Sequence, residues 1–119
     1  MGKTDTTDKT TAIRDLNDRF RKGDTTIPGR MMMTIGIQEL LEGDELKTAT
    51  LVKAIAGFDA FDTGNDPYHE HDFGALTFDG QRLFWKIDTY APDLMHGSDD
   101  PADTTKTVRV LTIMLAEDY

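Results

Sequence analysis

The 119-residue chain contains no cysteine, and this removes several kinds of site from consideration. Disulfide bonds, thiolate zinc sites and cysteine nucleophiles are all excluded. Long apolar runs are also missing, since none approaches the roughly 18–20 residues that a membrane-spanning helix requires. The first ten residues, MGKTDTTDKT, lack the apolar segment of a signal peptide. These absences predict a cytoplasmic protein that does not contact membranes.

Motifs that bind cofactors or carry out catalysis are missing too. The chain has no G-x-x-x-x-G-K-[ST] phosphate loop, no G-x-G-x-x-G dinucleotide fingerprint, no G-x-S-x-G turn and no H-E-x-x-H zinc motif. We therefore expect no cofactor. The sequence favours a binding protein over an enzyme.

Acidic residues dominate the composition and are unevenly distributed. The net charge is −9, with +2 over residues 1–30 and −11 over residues 31–119. Phosphate backbones repel such a chain, so we expect no direct binding of DNA or RNA. The acidity either serves solubility alone or suits a protein partner with a basic surface, including one that normally holds nucleic acid.

The N-terminal region changes character near residue 10. Residues 1–9 are rich in Thr, Asp and Lys, which predicts a disordered lead before a single α+β domain over residues 10–119. Ile13, Leu16 and Phe20 then follow the spacing of one helical face. Because Gly23 is a favourable stop, we expect a helix over residues 11–22.

Residues 30–37, RMMMTIGI, predict a strand. The three methionines, Met31–Met33, suit a strand buried on both faces, although adjacent methionines are also typical of an adaptable contact surface. A helix is expected next, with Asp44 as its N-cap and Glu45 in its first turn. The apolar stripe of this helix comprises Leu51, Val52, Ile55 and Phe58.

The clearest local signal lies in residues 74–90, GALTFDGQRLFWKIDTY. Two apolar runs flank Asp79-Gly80, the favoured two-residue hairpin turn, because both turn positions need positive φ. The turn fixes the register, so that Gly74 faces Trp85 and leaves its bare backbone beneath the indole ring. One face of the hairpin is expected to line the core, and it carries Leu76, Phe78, Leu83, Trp85 and Ile87.

The C-terminal segment carries conflicting signals. Asp100, Pro101 and Asp103 form a favourable helix start. Within residues 104–116 the Val and Ile residues favour a strand, whereas the start signal and the sequence MLAED favour a helix, and we expect a helix. The element order is then α-β-α-β-β-α. It describes an α+β domain with a three-stranded, antiparallel-rich sheet, in which the hairpin (73–78 and 81–90) is packed by two or three helices.

The segment NDPYHEHDFG, residues 65–74, concentrates ionisable side chains. If it were extended, His69 and His71 would point the same way, and Glu70 and Asp72 the other way. The two histidines, with an acid from the 93–100 loop, could then hold a divalent metal ion. A second interpretation makes His71, beside Asp72 or Glu70, an acid–base centre within residues 66–72, as in a metal-dependent hydrolase. A third is structural, because Asn-Asp-Pro is a turn signature whose side chains bond to loop amides. We favour the third, and assign no metal site and no catalytic residue.

Several separate segments resemble one family. They are FDAF (58–61), NDPY (65–68), EHDFG (70–74), FWKID (84–88), GSDDPAD (97–103) and RVLTIMLAEDY (109–119). In this order they are similar to an uncharacterised domain-of-unknown-function family of short bacterial proteins, over residues 11–119. The resemblance implies a setting on plasmids and other mobile elements, among genes for conjugation and for countering host defences. At His69 the family pattern favours a small residue such as glycine, which weakens the metal interpretation.

These observations predict a non-catalytic, acidic interaction protein of a mobile element. Its partner would be a host nucleic-acid-handling defence complex, which it inhibits in the anti-CRISPR or anti-restriction manner by covering a basic surface. The candidate contact residues are Asp66, Tyr68, Glu70, Asp72, Asp93, Asp99, Asp100 and Asp103. The alternative is a metal-dependent hydrolase that uses the 66–72 cluster, with His69, His71 and Asp72 as candidate metal ligands.

Overall fold

Residues 6–119 are described by a computed structural model of the chain. They form three helices, four strands and two short 3-10 turns. In chain order the elements are α1 (Thr6–Arg21), β1 (Gly29–Met33), α2 (Ile35–Leu41), α3 (Glu45–Ala56), β2 (Phe73–Phe78), β3 (Gln81–Tyr90), a 3-10 turn (Thr104–Lys106), β4 (Val108–Leu115) and a second 3-10 turn (Ala116–Asp118).

The four strands form one mixed sheet in the order β1-β4-β3-β2. Strand β3 pairs antiparallel with both β2 and β4, whereas β1 pairs parallel with β4. The α+β class is confirmed. The predicted three-stranded, antiparallel-rich sheet is wrong in its number of strands and in the polarity of one pairing, and the predicted order α-β-α-β-β-α is wrong as well.

The main error concerns residues 104–116, for which the sequence predicts a helix. Asp103 does cap a turn, accepting the backbone N–H of Thr105 at 2.9 Å, but only the 3-10 turn follows it and the chain then enters β4. This strand lies between β1 and β3, and five of its eight residues are buried. A central position of this kind suits β-branched and apolar side chains, and it outweighs the helical tendency of MLAED.

The hairpin prediction is confirmed. Asp79 and Gly80 have φ angles of 52° and 79°, and Gly74 pairs with Trp85 as the two-residue turn requires. The predicted core face is also confirmed, because its members belong to the main apolar cluster or pack against it: Leu76, Phe78, Leu83, Trp85 and Ile87.

The helices agree with the sequence signals in part. The predicted stop after α1 is confirmed, since Gly23 has a φ of 100°. The predicted cap of α3 is confirmed as well, because the carboxylate of Asp44 accepts two backbone N–H groups of the first turn. Helix α1 begins at Thr6, within the predicted disordered lead of residues 1–9, of which residues 1–5 lie outside the described part of the chain. No helix within residues 6–119 is long and apolar enough to span a membrane.

Helix α2 and the exposure of β1 were not predicted. The run RMMMTIGI reads as one strand, but the chain leaves the sheet at Thr34 and turns into α2. Strand β1 lies at the edge of the sheet, where Met31 is 40% exposed and Met32 is 53% exposed. The prediction that all three methionines are buried is therefore wrong, since only Met33 packs against the core. The contact-surface interpretation stays open for Met31 and Met32.

The core lies between one face of the sheet and the helices. Helices α2 and α3 contribute Ile37, Leu41, Leu51 and Ile55, which cluster with alternate residues of β3 and β4. Burying these apolar side chains is the main favourable contribution to folding, at about 25 cal/mol for each Å² removed from water. The ends of the strands, and the loops that join them, are thereby held in fixed positions.

Substitution of Gly74 by alanine tests the contact between the hairpin and the indole ring. An added Cβ would overlap the Trp85 indole and lie 2.8 Å from Cε1 of Phe58. We expect Gly74→Ala to lower the free energy of unfolding by about 1–3 kcal/mol through overpacking, as measured by urea denaturation. Gly97→Ala is the control, because its Cβ meets no described atom within 4 Å. Equal stability of the two variants would contradict this packing.

Candidate functional site

One end of the sheet collects two acidic loops. Strands β2 and β4 begin at this end and β3 finishes there, because β3 runs antiparallel to both. The connections over residues 57–72 and 91–107 therefore leave the sheet at the same end. Together they contain nine of the chain's 22 acidic residues and only one lysine. We call these two loops the acidic end.

A buried arginine lies beneath the acidic end and joins its two loops. Arg109 of β4 is fully buried. Its Nε donates to Asn17 Oδ1 at 2.7 Å and its Nη2 donates to the carbonyl of Pro101 at 2.6 Å. Asn17, on α1, in turn donates to the carbonyl of Glu70 at 2.9 Å. The guanidinium and the amide thus connect both loops to the central strand and to α1.

Burial makes it harder for this guanidinium to keep its proton. It lowers the pKa of Arg109 to about 10, and the nearby carboxylate of Glu70 opposes the change. A group with a pKa near 10 is still protonated at neutral pH. The acidic end is therefore built over a permanent buried positive charge, and its loops cannot separate from it without leaving that charge without partners.

A second buried arginine, Arg21, attaches α1 to the end of α3. Its Nη1 donates to three carbonyl groups at distances of 2.8–3.0 Å, those of Ile55, Ala56 and Phe58. The carbonyls of Ile55 and Ala56 belong to the C-terminal end of α3, which a cation stabilises, and that of Phe58 follows two residues later. The Nη2 of Arg21 forms an ion pair with Asp18 at 3.0 Å. Asp18 also contacts His71, which belongs to the loop over residues 57–72.

His71 fastens that loop to α1. Its Nδ1 lies 2.9 Å from Asp18 Oδ1, and its Nε2 lies 3.5 Å from Asp66 Oδ2. The imidazole stacks on Phe61 with ring centroids 3.8 Å apart and planes 3° from parallel. Asp66 also accepts the backbone N–H of His71 at 3.0 Å. Both ring nitrogens of His71 therefore lie close to carboxylates of the chain itself.

The extended geometry on which the metal interpretation depends is not present at the two histidines. His69 and His71 have φ angles of 60° and 54°, so the segment is not the extended strand from which the metal interpretation starts. Left-handed backbone at these positions is typical of glycine. Among residues 6–119, no group of three or more His, Asp or Glu side chains is placed to hold a metal ion.

Hydrogen bonds within the loop support the structural interpretation of this segment. Asp62 Oδ1 accepts the backbone N–H groups of Gly64 and Asn65 at 2.8 and 2.9 Å. The side chain of Asn65 donates in turn to the carbonyl of Ala60 at 3.0 Å. Polar side chains thus replace regular secondary structure in organising the loop.

The predicted contact residues differ in how available they are. Asp66 is 3% exposed and engaged with His71, so it is not free to meet a partner. Tyr68 is 77% exposed. Asp99 is exposed, and its side chain has no hydrogen bond or ion pair to any described residue. Three others accept backbone N–H groups of their own loop, namely Asp93, Asp100 and Asp103.

The loop hydrogen bonds set the ionisation of two of these acids. The backbone N–H of Met95 and the ring of His96 lower the pKa of Asp93. The hydroxyl and the backbone N–H of Thr105 lower the pKa of Asp103. Both carboxyls are therefore charged at neutral pH and fixed in position by the turns that they cap.

Glu70 and Asp72 show the opposite behaviour. Burial raises the pKa of Glu70, and the carboxylates of Asp72 and Asp66 raise it further, against the attraction of Arg109. Burial also raises the pKa of Asp72, with added repulsion from Asp66 and Asp88. In the ionised form these two carboxylates destabilise the fold, and a cation placed beside them would relieve that effect.

Sequence patterns did not identify Asn17, Arg21 and Arg109 as part of this site. The spacing of Asn17 and Arg21 places them on one helical face, but nothing in the sequence shows that this face is buried. A signal was available for Arg109, since it is the one charged residue in the apolar run VRVLTIML. A single arginine in a central strand must find internal partners.

Comparison with known proteins places this chain in a family. Residues 33–118 match the family described as Protein of unknown function (DUF3768). The match covers most of the chain and includes both loops of the acidic end. No curated protein and no solved structure matches the chain.

Replacing Arg109 by lysine tests its bridging role. A single ammonium group cannot reproduce the planar contacts to Asn17 and Pro101. We expect Arg109→Lys to lower the free energy of unfolding by about 2–4 kcal/mol, and to accelerate amide hydrogen exchange in both loops. Arg82→Lys, at an exposed position on β3, is the matched control. Unchanged exchange in the loops would argue against the bridge.

The raised pKa of Glu70 can be tested by the pH dependence of stability. A carboxyl with a raised folded-state pKa binds its proton more readily in the folded chain, so the free energy of unfolding falls as pH rises through that pKa. We therefore expect Glu70→Gln to have a higher Tm than wild type at pH 7. The gap should close as the pH falls below the ordinary value of 4.5. The exposed control Glu39→Gln should show no gap, and a lower Tm for Glu70→Gln at pH 7 would refute the assignment.

Proposed function

We propose that this chain, which belongs to the family of proteins of unknown function named DUF3768, is a non-catalytic binding protein. In this proposal its acidic end docks on the basic surface of a protein that handles nucleic acid. The observation that carries the proposal is the acidic end itself, in which nine carboxylates and one lysine occupy two loops. Arg109 and Asn17 hold these loops in a fixed relation.

The arrangement supports electrostatic recognition. Exposed carboxylates occur on both loops, at Asp59, Asp62, Asp93 and Asp99. Charges of one sign at one end of a small domain steer a partner of opposite sign and set its orientation. Because buried hydrogen bonds already order the loops, little further ordering opposes binding.

Glu70 and Asp72 add a reason to expect a cationic partner. Burial raises the pKa of both groups, so the ionised forms are under-solvated in the isolated chain. A lysine or arginine of a partner would compensate these charges. In such a contact the exposed carboxylates would attract the partner. The half-buried carboxylates would then gain a lysine or arginine of the partner as a counter-ion.

The family resemblance suggests which basic protein is the target. A mobile element benefits from blocking host defence, and CRISPR effectors and restriction enzymes hold DNA or RNA with lysine and arginine side chains. Carboxylates compete with phosphates for those side chains. We therefore propose that the protein acts in the cytoplasm as an inhibitor of such a complex, by occupying its nucleic-acid channel.

The hydrolase alternative has no comparable support. Of its candidate residues, His71 has both ring nitrogens directed at carboxylates. Asp72 lies beside it in sequence, but no group of three metal-binding side chains forms within residues 6–119. We therefore do not propose a catalytic role for the 66–72 cluster.

Inhibition of target-DNA binding tests the proposal directly. Purified CRISPR effector and restriction complexes from the host would be titrated with wild type and with the triple variant Asp59→Asn/Glu70→Gln/Asp99→Asn. We expect wild type to inhibit one of these complexes, with an apparent affinity that falls as salt rises. The triple variant should inhibit at least about tenfold more weakly, equivalent to roughly 1.4 kcal/mol.

A matched control neutralises three exposed carboxylates outside the acidic end, in the variant Glu39→Gln/Glu117→Gln/Asp118→Asn. It carries the same net charge as the first triple variant, so it separates position from total charge. We expect it to inhibit like wild type. Equal inhibition by both triple variants would show that the acidic end is not the contact surface.

A further inference from the structure

The sheet has a second face, opposite the one that lines the core. Along β3 and β4 the residues that alternate with Trp85, Ile87 and Leu111 of the core cluster point to this second face. A pocket of about 340 Å³ lies there, and we call it the outer pocket. Its volume is at the lower end of the roughly 300–1,000 Å³ that is typical of small-molecule sites.

Strand register groups the polar side chains of the outer pocket around one buried valine. Val110 pairs with Arg30 of β1 on one side and with Asp88 of β3 on the other. In the next row on the same face, Thr112 pairs with Lys86. Neighbouring strands lie about 4.8 Å apart, and successive residues of one face are about 6.7 Å apart. One small molecule lying over Val110, which is 8% exposed, can therefore reach all of these groups.

The charges in the outer pocket are unequally compensated. Lys86 Nζ forms an ion pair with Asp88 Oδ2 at 3.0 Å, so these two charges offset each other. Arg30 is exposed, and its guanidinium has no hydrogen bond or ion pair to any residue within 6–119. In the same part of the chain, the hydroxyl groups of Tyr90 and Thr112 have no hydrogen-bond partner either. The pocket thus offers one uncompensated cation and two available hydroxyl donors, a combination that suits an anion.

A strained leucine contributes apolar surface to the same pocket. Leu94 lines the outer pocket and has a φ of 61°, which is uncommon for a leucine. Its loop is held in this shape by backbone hydrogen bonds. The N–H of Ala91 donates to the carbonyl of His96 at 2.7 Å, and the N–H of Leu94 donates to the carbonyl of Ala91 at 2.8 Å. Backbone strain that the surrounding structure maintains is concentrated at ligand sites.

We propose that the outer pocket binds a small monocarboxylic acid with an apolar body. The carboxylate contacts the guanidinium of Arg30, whose planar donors match two carboxylate oxygens. The hydroxyl groups of Tyr90 and Thr112 donate to the same carboxylate. The apolar body lies against Val110 and Leu94, which line the pocket beside these donors.

The charge balance favours a monocarboxylate over a phosphate. A single uncompensated guanidinium balances one negative charge, whereas a phosphate dianion would bring excess charge to a chain that already carries −9. An inorganic anion would also leave the apolar lining uncovered. Asp93, one residue before Leu94, is engaged with the backbone N–H of Met95 and the ring of His96, so its charge is partly offset within its own loop.

Titration with phenylpropionate, followed by amide NMR spectra of the full chain, tests the proposal. We expect saturable shifts that are largest at Leu94, Val110 and Thr112. Phenylpropionamide has the same apolar body without the charge, and acetate has the charge without the body. Inorganic phosphate tests for a general anion site. We expect each of these three probes to bind at least about tenfold more weakly than phenylpropionate.

Substitutions separate the contributions of charge and apolar surface. Arg30→Gln removes the uncompensated cation at an exposed position, and we expect phenylpropionate to bind at least about tenfold more weakly. Arg82→Gln is the matched control, because Arg82 is exposed on the same strand as Lys86 but does not line the pocket, and it should bind like wild type. Leu94→Gly permits the left-handed backbone and removes the apolar side chain, so we expect roughly fivefold weaker binding.

Four results would overturn the proposal. The first is the absence of saturable shifts across a titration into the millimolar range. The second is equal affinity of wild type and Arg30→Gln for phenylpropionate. The third is binding of the amide, acetate or phosphate as tight as that of phenylpropionate, which would exclude this ligand class. The fourth is a set of shifts centred outside the outer pocket. None of these results depends on whether the acidic end binds a basic partner.

Discussion

The hydrogen bonds of one buried guanidinium organise much of this molecule. Arg109 sits in the central strand, where its positive charge is shielded from water and must be satisfied from within the protein. Its partners are an amide on α1 and a carbonyl of the 91–107 loop, and through Asn17 the contact extends to the 57–72 loop. Placing an arginine in β4 therefore helps to fix the position of α1 and the relation between the two loops.

The carboxylates at the acidic end have two different physical roles. Some cap turns and are stabilised by the N–H groups that they accept, as Asp93 and Asp103 are. Others are under-solvated and repel one another, as Glu70 and Asp72 do. Residues that reduce the stability of an isolated domain are common where a surface serves recognition. The first group gives the surface its shape, and the second carries charge that the isolated domain solvates poorly.

Local signals in the sequence predicted local structure correctly. Asp79-Gly80 predicted the hairpin register, and Asp44 predicted the start of α3. A tight turn and a helix cap each depend on only a few adjacent residues, so the local sequence is enough to predict them. Errors arose where distant segments decide the outcome. Residues 108–115 form a strand because β1 and β3 lie on either side. The segment with His69 and His71 is not extended, because both residues adopt left-handed backbone. The acidic loops were identified from composition, but their convergence follows from strand order, and the arginines beneath them were missed.

The parallel pairing of β1 with β4 also constrains how the chain assembles. Gly29 pairs with Arg109, although the 74 residues from 34 to 107 lie between the two strands in the sequence. On the ribosome, β1 emerges long before the strand that completes the sheet, and the β2–β3 hairpin can form while the centre of the sheet is still missing. Contacts between such distant segments form slowly because a long loop must close first. The sheet can therefore close only after β4 has been synthesised, because β4 lies between β1 and β3.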